Sequence, residues 1–171
     1  MNKKVIAIVL LVALALVPVF AKSYSGTAKK DSLAVGLNLG ICTGVTAKYG
    51  MGDFDFQGTV GFGTLSNGLS FEAGAYYNFY DITFKTGSNA IEKAASKTQT
   101  ISCVAGPVAG VSLSSNGVSV AAMGVAGLEY TFAKAPFTVY LKAGLGVELS
   151  IGDDVKTALA GTGALGCVYT F

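Results

Sequence analysis

Six charged residues carry most of the chemistry this sequence could perform: Lys48, Asp55, Glu72, Glu129, Lys142 and Glu148. Each alternates with apolar neighbours, so each falls on the polar side of an apolar stretch. Charges held in a narrow, poorly hydrated space must be paired or they are costly. The hairpin registers give two pairings: Glu129 diagonal to Lys142, and Asp55 diagonal to Lys48. Diagonal neighbours on a sheet sit ~7–8 Å apart, within reach of long side chains. The reading is a set of lumen charges that locks an interior shut; a gated ion path is the alternative.

Other chemistry is largely excluded. The chain has no His and no Arg. A Ser-His pair cannot be built, and a metal site would lack its commonest ligand. No close pair of carboxylates with a pocket stands out for acid–base work. Gly161-Thr-Gly163-Ala-Leu-Gly166 matches G-x-G-x-x-G, but that motif needs a strand-to-helix turn. Here it lies in an extended segment that ends the sequence, so small residues in a crowded wall explain it better. Cys42, Cys103 and Cys167 are odd in number and fall on no neighbouring sites, which argues against a disulfide framework. The expectation is no enzyme, with no catalytic, cofactor-binding or metal site. After residue 21 the chain holds ten Lys, six Asp and four Glu. That near-balance gives no basic face and so no nucleic-acid partner.

The elements that would position these residues read as strands. Leu33, Val35, Leu37, Leu39 and Ile41 alternate with Ala34, Gly36, Asn38 and Gly40, a period of two. Cys42-Thr43-Gly44 reads as a three-residue turn, Gly52-Asp53 as a two-residue turn, and Asn67-Gly68 and Asn116-Gly117 as strong hairpin signals. Strand three is expected from Phe54 to Leu65, strand four from Leu69 to Lys85, strand five from Gln99 to Leu113 and strand six from Val118 to Phe132. Strand seven has Phe137, Val139, Leu141, Ala143, Leu145, Val147, Leu149 and Ile151 on one face. Gly152 to Thr157 turns the chain into strand eight, ending at Phe171. The polar stretch 86–98 separates strands four and five, with one or two helical turns at 90–95. Paired residues must share a face. The apolar faces agree if Ile41 opposes Val45, Met51 opposes Phe54, Ser66 opposes Leu69, Ser115 opposes Val118 and Phe132 opposes Phe137. The fold class expected is all-β, an up-and-down antiparallel barrel of eight strands.

The first residues read as an export signal. Asn2, Lys3 and Lys4 precede an apolar run from Val5 to Phe20, and Val19-Phe20-Ala21 places small residues at a cleavage site. Residues 1–21 are therefore a signal peptide, 22–32 a polar arm and 33–171 the barrel. The sequence is 51% hydrophobic, yet no later apolar run approaches the length of a spanning helix. A barrel that turns its apolar face to lipid reconciles these facts. The polar face is mostly Gly, Ala and Ser, unlike the charged exterior of a soluble barrel. Tyr49, Phe54, Phe56, Tyr77, Phe79, Tyr130, Phe132, Phe137, Tyr169 and Phe171 all fall at the rim that holds both ends, as a membrane girdle would.

The ending Leu165-Gly-Cys-Val-Tyr169-Thr-Phe171 resembles the C-terminal signature of outer-membrane β-barrels, a final Phe with an aromatic two residues before it. In size and strand number the chain is similar to the small eight-stranded barrels of the OmpA/OmpX type. The resemblance implies location in the outer membrane of a Gram-negative-type bacterium. It implies outer-membrane lipid and the barrel-assembly machinery as partners, with Tyr169 and Phe171 as the assembly signal. With Phe171 periplasmic, the short turns face outward and 86–98 faces the periplasm, where it could meet a periplasmic partner. The expected role is structural or envelope-stabilising, around a plugged polar lumen. A narrow channel or transport protein, porin-like in the broad sense, is the alternative. A surface recognition protein and a soluble periplasmic barrel rank behind it.

Overall fold

The computed structural model describes residues 31–63, 68–85, 98–115, 117–132, 135–152 and 155–171. They form eight antiparallel strands: β1 Ser32–Gly40, β2 Cys42–Met51, β3 Phe54–Gly63, β4 Leu69–Lys85, β5 Thr98–Ser114, β6 Gly117–Thr131, β7 Phe137–Ile151 and β8 Val155–Thr170. Each strand pairs with the next, and β1 pairs with β8, so the sheet closes into a barrel. Closure removes every strand edge that pairing can reach. The expected signal peptide at 1–21, most of the expected arm and the segment 86–97 lie outside the described residues.

The ring is staggered. Asn38 pairs directly with Gly166 on β8. Traced the other way round the ring, its partners are Gly44, Gly61, Ser70, Ser112, Ser119, Ser150 and finally Lys156. The two routes differ by ten residues, Lys156 against Gly166. A stagger of that size tilts eight strands by about 40° to the barrel axis.

The alternation that built the strands also sorts them inside-out. Asn38, Thr46, Gln57, Thr59, Ser70, Ser102, Glu129, Thr138, Lys142 and Thr162 are buried, while Leu37, Leu39, Phe62, Leu141, Leu145 and Leu159 are at least 59% exposed. Lys48, Asp55, Glu72, Asp81, Glu129, Lys142, Glu148 and Lys156 all share the face of the buried polar set by their pairing. Among the described strand side chains, the outward positions carry no charge at all.

Several turns differ from the sequence expectation. Cys42-Thr43-Gly44 is not a turn but the start of β2; the chain reverses at Ile41. Side-chain bonds pin it there: Thr43 Oγ1 donates to the Gly40 carbonyl at 2.9 Å and accepts from the Gly40 amide at 3.1 Å. Asn38 Nδ2 donates to the Cys42 carbonyl at 2.6 Å. Val45 therefore opposes Leu37, not Ile41. Phe62 opposes Leu69, and the Gly63 amide bonds the Gly68 carbonyl at 2.9 Å, so that hairpin is wider than Asn67-Gly68 alone. Strand β3 is described as far as Gly63; its expected end at Leu65 lies outside the described residues. Leu113, not Ser115, opposes Val118. Val155 opposes Ile151, so the last three residues of the expected turn, 155–157, belong to β8. The three pairing slips, at Val45, Leu69 and Val118, are by four, four and two residues, so every side chain keeps its face. The Gly52 turn holds, with φ of 63° at Gly52 and Met51 opposite Phe54.

Strand β4 contains one irregularity. The register with β5 shifts between Asn78 and Tyr80. This bulge inserts one residue and re-aims the side chains beyond it. Strict alternation from Tyr76 would turn Tyr80, Ile82 and Phe84 inward; instead they are exposed on the outer face. Past Phe54, β4 continues to Lys85 paired with β5, the longest reach at the rim that holds Ser32 and Phe171.

Candidate functional site

The interior divides into a closed half and an open half. In the closed half, on the side of the chain ends, Glu129 bridges two lysines. Its Oε1 lies 3.0 Å from Lys142 Nζ, and its Oε2 pairs with Lys48 Nζ, which also lies 3.0 Å from Asp55 Oδ2. Two cations and two anions thus cancel across the lumen. The sequence-derived pairs Lys48–Asp55 and Lys142–Glu129 are both in contact; the Lys48–Glu129 contact joins residues 81 apart and crosses the ring.

Neutral side chains complete the closure. Lys142 Nζ donates to Gln57 Oε1 at 2.6 Å and stands 3.6 Å from the Tyr76 ring centroid. Gln57 Nε2 donates to Tyr140 Oη and to Thr46 Oγ1, both at 3.1 Å. Tyr140 Oη donates to Asn38 Oδ1 at 2.8 Å. Lys142 therefore combines an ion pair, a hydrogen bond and a cation–π contact, the conditions under which a charge tolerates burial. Apolar packing against this layer comes from Val104, Val108 and Val125 beside Tyr76, and from Ala34 and Val168 beside Tyr140. At this level the remaining space is a cavity of about 20 Å³, room for about one water.

Gln57, Tyr140, Tyr76 and Asn38 were not singled out from sequence. Their signal was there: each has the same parity as Lys48 or Lys142, and each is the large polar residue in a run of small ones. Small neighbours are what let them fit. An added Cβ at Gly166 would sit 2.2 Å from the Tyr140 ring, and one at Gly74 would sit 3.0 Å from the Tyr76 ring.

Glu72 and Glu148 make no ion pair with this cluster. Glu148 faces the open half, a cup of about 660 Å³ at the far rim, and Glu72 stands at the boundary, lining both the cup and the small cavity of the plug. Glu72 Oε1 accepts from Thr162 Oγ1 at 3.3 Å, and Glu148 Oε1 accepts from Ser150 Oγ at 3.2 Å. The cup wall is hydroxylated: Ser70 and Ser112 oxygens lie 2.7 Å apart, and Ser119 and Ser150 oxygens 3.0 Å apart. Lys156 lines its upper edge.

The aromatic residues expected at one rim are all on the outer face there. Phe54 packs on Tyr77 at 5.2 Å, Tyr130 on Phe132 at 4.6 Å, Phe137 on Tyr169 at 5.2 Å and Tyr169 on Phe171 at 5.2 Å. Tyr49, Phe56 and Phe79 complete the set, and the bulge adds Tyr80 and Phe84, which parity alone hid. The Phe171 amide bonds the Leu33 carbonyl at 2.9 Å, so the last residue helps close the ring. Cys42, Cys103 and Cys167 are all free thiols.

No family model, curated protein or solved structure matches this chain.

Proposed function

We propose that this chain is an exported outer-membrane β-barrel with a plugged lumen, serving as a structural or envelope-stabilising element. One observation carries the reading: in the described strands charged side chains are confined to the inner face, while the outer wall is apolar except for Thr43, Gln99 and Thr157 near its rims. A soluble barrel has the reverse distribution. A wall of exposed Leu, Val and Phe in water would be an aggregation surface far larger than monomeric proteins tolerate. In lipid the same wall is satisfied, because closure pairs its backbone groups. The aromatic rim and the C-terminal Tyr169 and Phe171 support the same placement. The export signal at 1–21 supports passage to the envelope. Outer-membrane lipid and the barrel-assembly machinery are the partners this role needs. The stretch 86–98 is where a periplasmic partner would bind; its flanks, Lys85 and Thr98, pair at the rim with the chain ends.

The plug supports a closed barrel. Lys48, Asp55, Glu129 and Lys142 neutralise one another, and Gln57 and Tyr140 fill the rest of the section. A narrow channel is the second reading, and the open cup beyond the plug favours it. Two measurements test the pair. In cell fractions the protein should sediment with outer membranes, and it should migrate differently on gels before and after boiling. Recovery in the soluble fraction without detergent would overturn the membrane reading. Purified protein in planar bilayers should show no steady conductance. Uniform stable channels would replace the plugged barrel with the channel.

A further inference from the structure

The far rim is not level. Strand β1 stops at Gly40, opposite Ala164, and the Ile41 amide bonds the Gly163 carbonyl at 3.2 Å. Strand β8 begins at Val155. Residues 155–162 of β8 therefore rise past Ile41 with no described strand on that side. At ~3.3 Å per residue and a tilt of about 40°, the step is roughly 20 Å high along the axis. The stagger makes the strand tops climb around the ring, so the cup is walled on the β5–β8 side and low at β1 and β2.

The step joins two cavities. Ile41, Gly161 and Thr162 line the cup, and the same three line an apolar groove of about 1100 Å³ on the outer wall. The groove runs along a row in which Ala105, Ala126, Ala143 and Gly163 are successive cross-strand partners. Of its glycines, Gly106 and Gly144 are forced by packing, since an added Cβ would strike backbone at 1.8 and 2.4 Å, but Gly124 and Gly163 are not. An added Cβ at Gly124 or Gly163 meets nothing within 4 Å, whereas one at Gly36 or Gly44 would strike the neighbouring backbone near 2 Å. The crowded glycines let strands and side chains fit; Gly124 and Gly163 leave a trough in the wall.

We infer that the cup and groove bind one membrane lipid with a primary-ammonium, phosphate-containing headgroup, entering sideways over the step at Ile41. The acyl chain lies in the groove along Gly163 and Gly124. The ammonium pairs with Glu72 and Glu148, and the phosphate lies toward Lys156 and the cup hydroxyls. Among the described residues the charges lining the cup are two carboxylates and one lysine, a set that fits a zwitterion better than an anionic head and sets the choice of lipid. The inference rests on the membrane placement proposed above.

The test uses the full mature chain in detergent, first checked for membrane fractionation and for heat-modifiable migration. It is delipidated and given equal amounts of phosphatidylethanolamine and phosphatidylglycerol with matched chains. Native mass spectrometry should show a single-lipid adduct enriched about fivefold in phosphatidylethanolamine, a discrimination of about 1 kcal/mol. Glu72→Gln with Glu148→Gln should erase the enrichment while leaving some lipid bound. Gly124→Leu with Gly163→Leu should lower retention of both lipids. Gly58→Leu, an equally open outward site on β3, should change neither. Deacylated glycerophosphoethanolamine should not compete, and competition at equal concentration would remove the groove from the proposal. A chain that fractionates with membranes yet shows no adduct, or equal adducts untouched by these substitutions, overturns the lipid site and leaves the membrane reading standing. A chain that is soluble without detergent overturns both.

Discussion

Glu129→Gln is the sharpest probe of the closed lumen. Glu129 is 3% exposed and is the anion shared by Lys48 and Lys142. At 3.0 Å, one unit pair in an effective dielectric near 20 is worth about 5–6 kcal/mol of gross attraction, much of it offset by desolvation. Gln keeps the size and can still accept one hydrogen bond, but it removes the charge. Lys48 retains Asp55 at 3.0 Å; Lys142 retains Gln57 and the Tyr76 ring but loses its anion. Leaving one buried lysine without its counter-charge costs about 3–5 kcal/mol. The lower end is expected, about 3 kcal/mol, because Lys142 keeps those two contacts. The assay is urea unfolding in lipid vesicles, read by tyrosine fluorescence and by loss of the fast-migrating gel form. Adding Lys142→Met should recover part of the loss, by about 1–2 kcal/mol relative to additivity, since contacting residues couple. A Glu129→Gln protein within about 0.5 kcal/mol of the parent, or strict additivity in the double variant, would refute the idea that Glu129 holds the plug together.

Leu141 is 59% exposed at the outer wall; Leu141→Lys should cost about 2–4 kcal/mol in vesicles, checked by the same unfolding curve, whereas a soluble barrel would accept it freely. Cys167 is exposed on that wall, so a charged maleimide should label it slowly in vesicles and fast after unfolding. Equal rates would place it in water. Deleting Phe171 removes the closing bond to the Leu33 carbonyl and the ring against Tyr169. It should cut the amount assembled in cells well below the amount refolded from urea into detergent, as immunoblots of boiled and unboiled samples would show.

Strand count, strand type and the face of nearly every side chain were legible from sequence. Alternation has period two, and the hairpin slips at Ile41, Gly63–Gly68 and Ser114–Gly117 were all even, so a wrong register still gave the right face. The bulge near Phe79 is the exception, because a single extra residue reverses parity and nothing local announces it. The pairs Lys48–Asp55 and Lys142–Glu129 were also legible, since each lies across one hairpin. Glu129 reaching Lys48 was not: that contact spans the ring, and it depends on how far the barrel staggers before it closes. The stagger is a global quantity, fixed only when β1 meets β8. It alone decided that Gln57, Tyr140 and Lys142 share one layer, that Glu148 stands apart in the cup with Glu72 between cup and plug, and that the far rim carries a step beside β8.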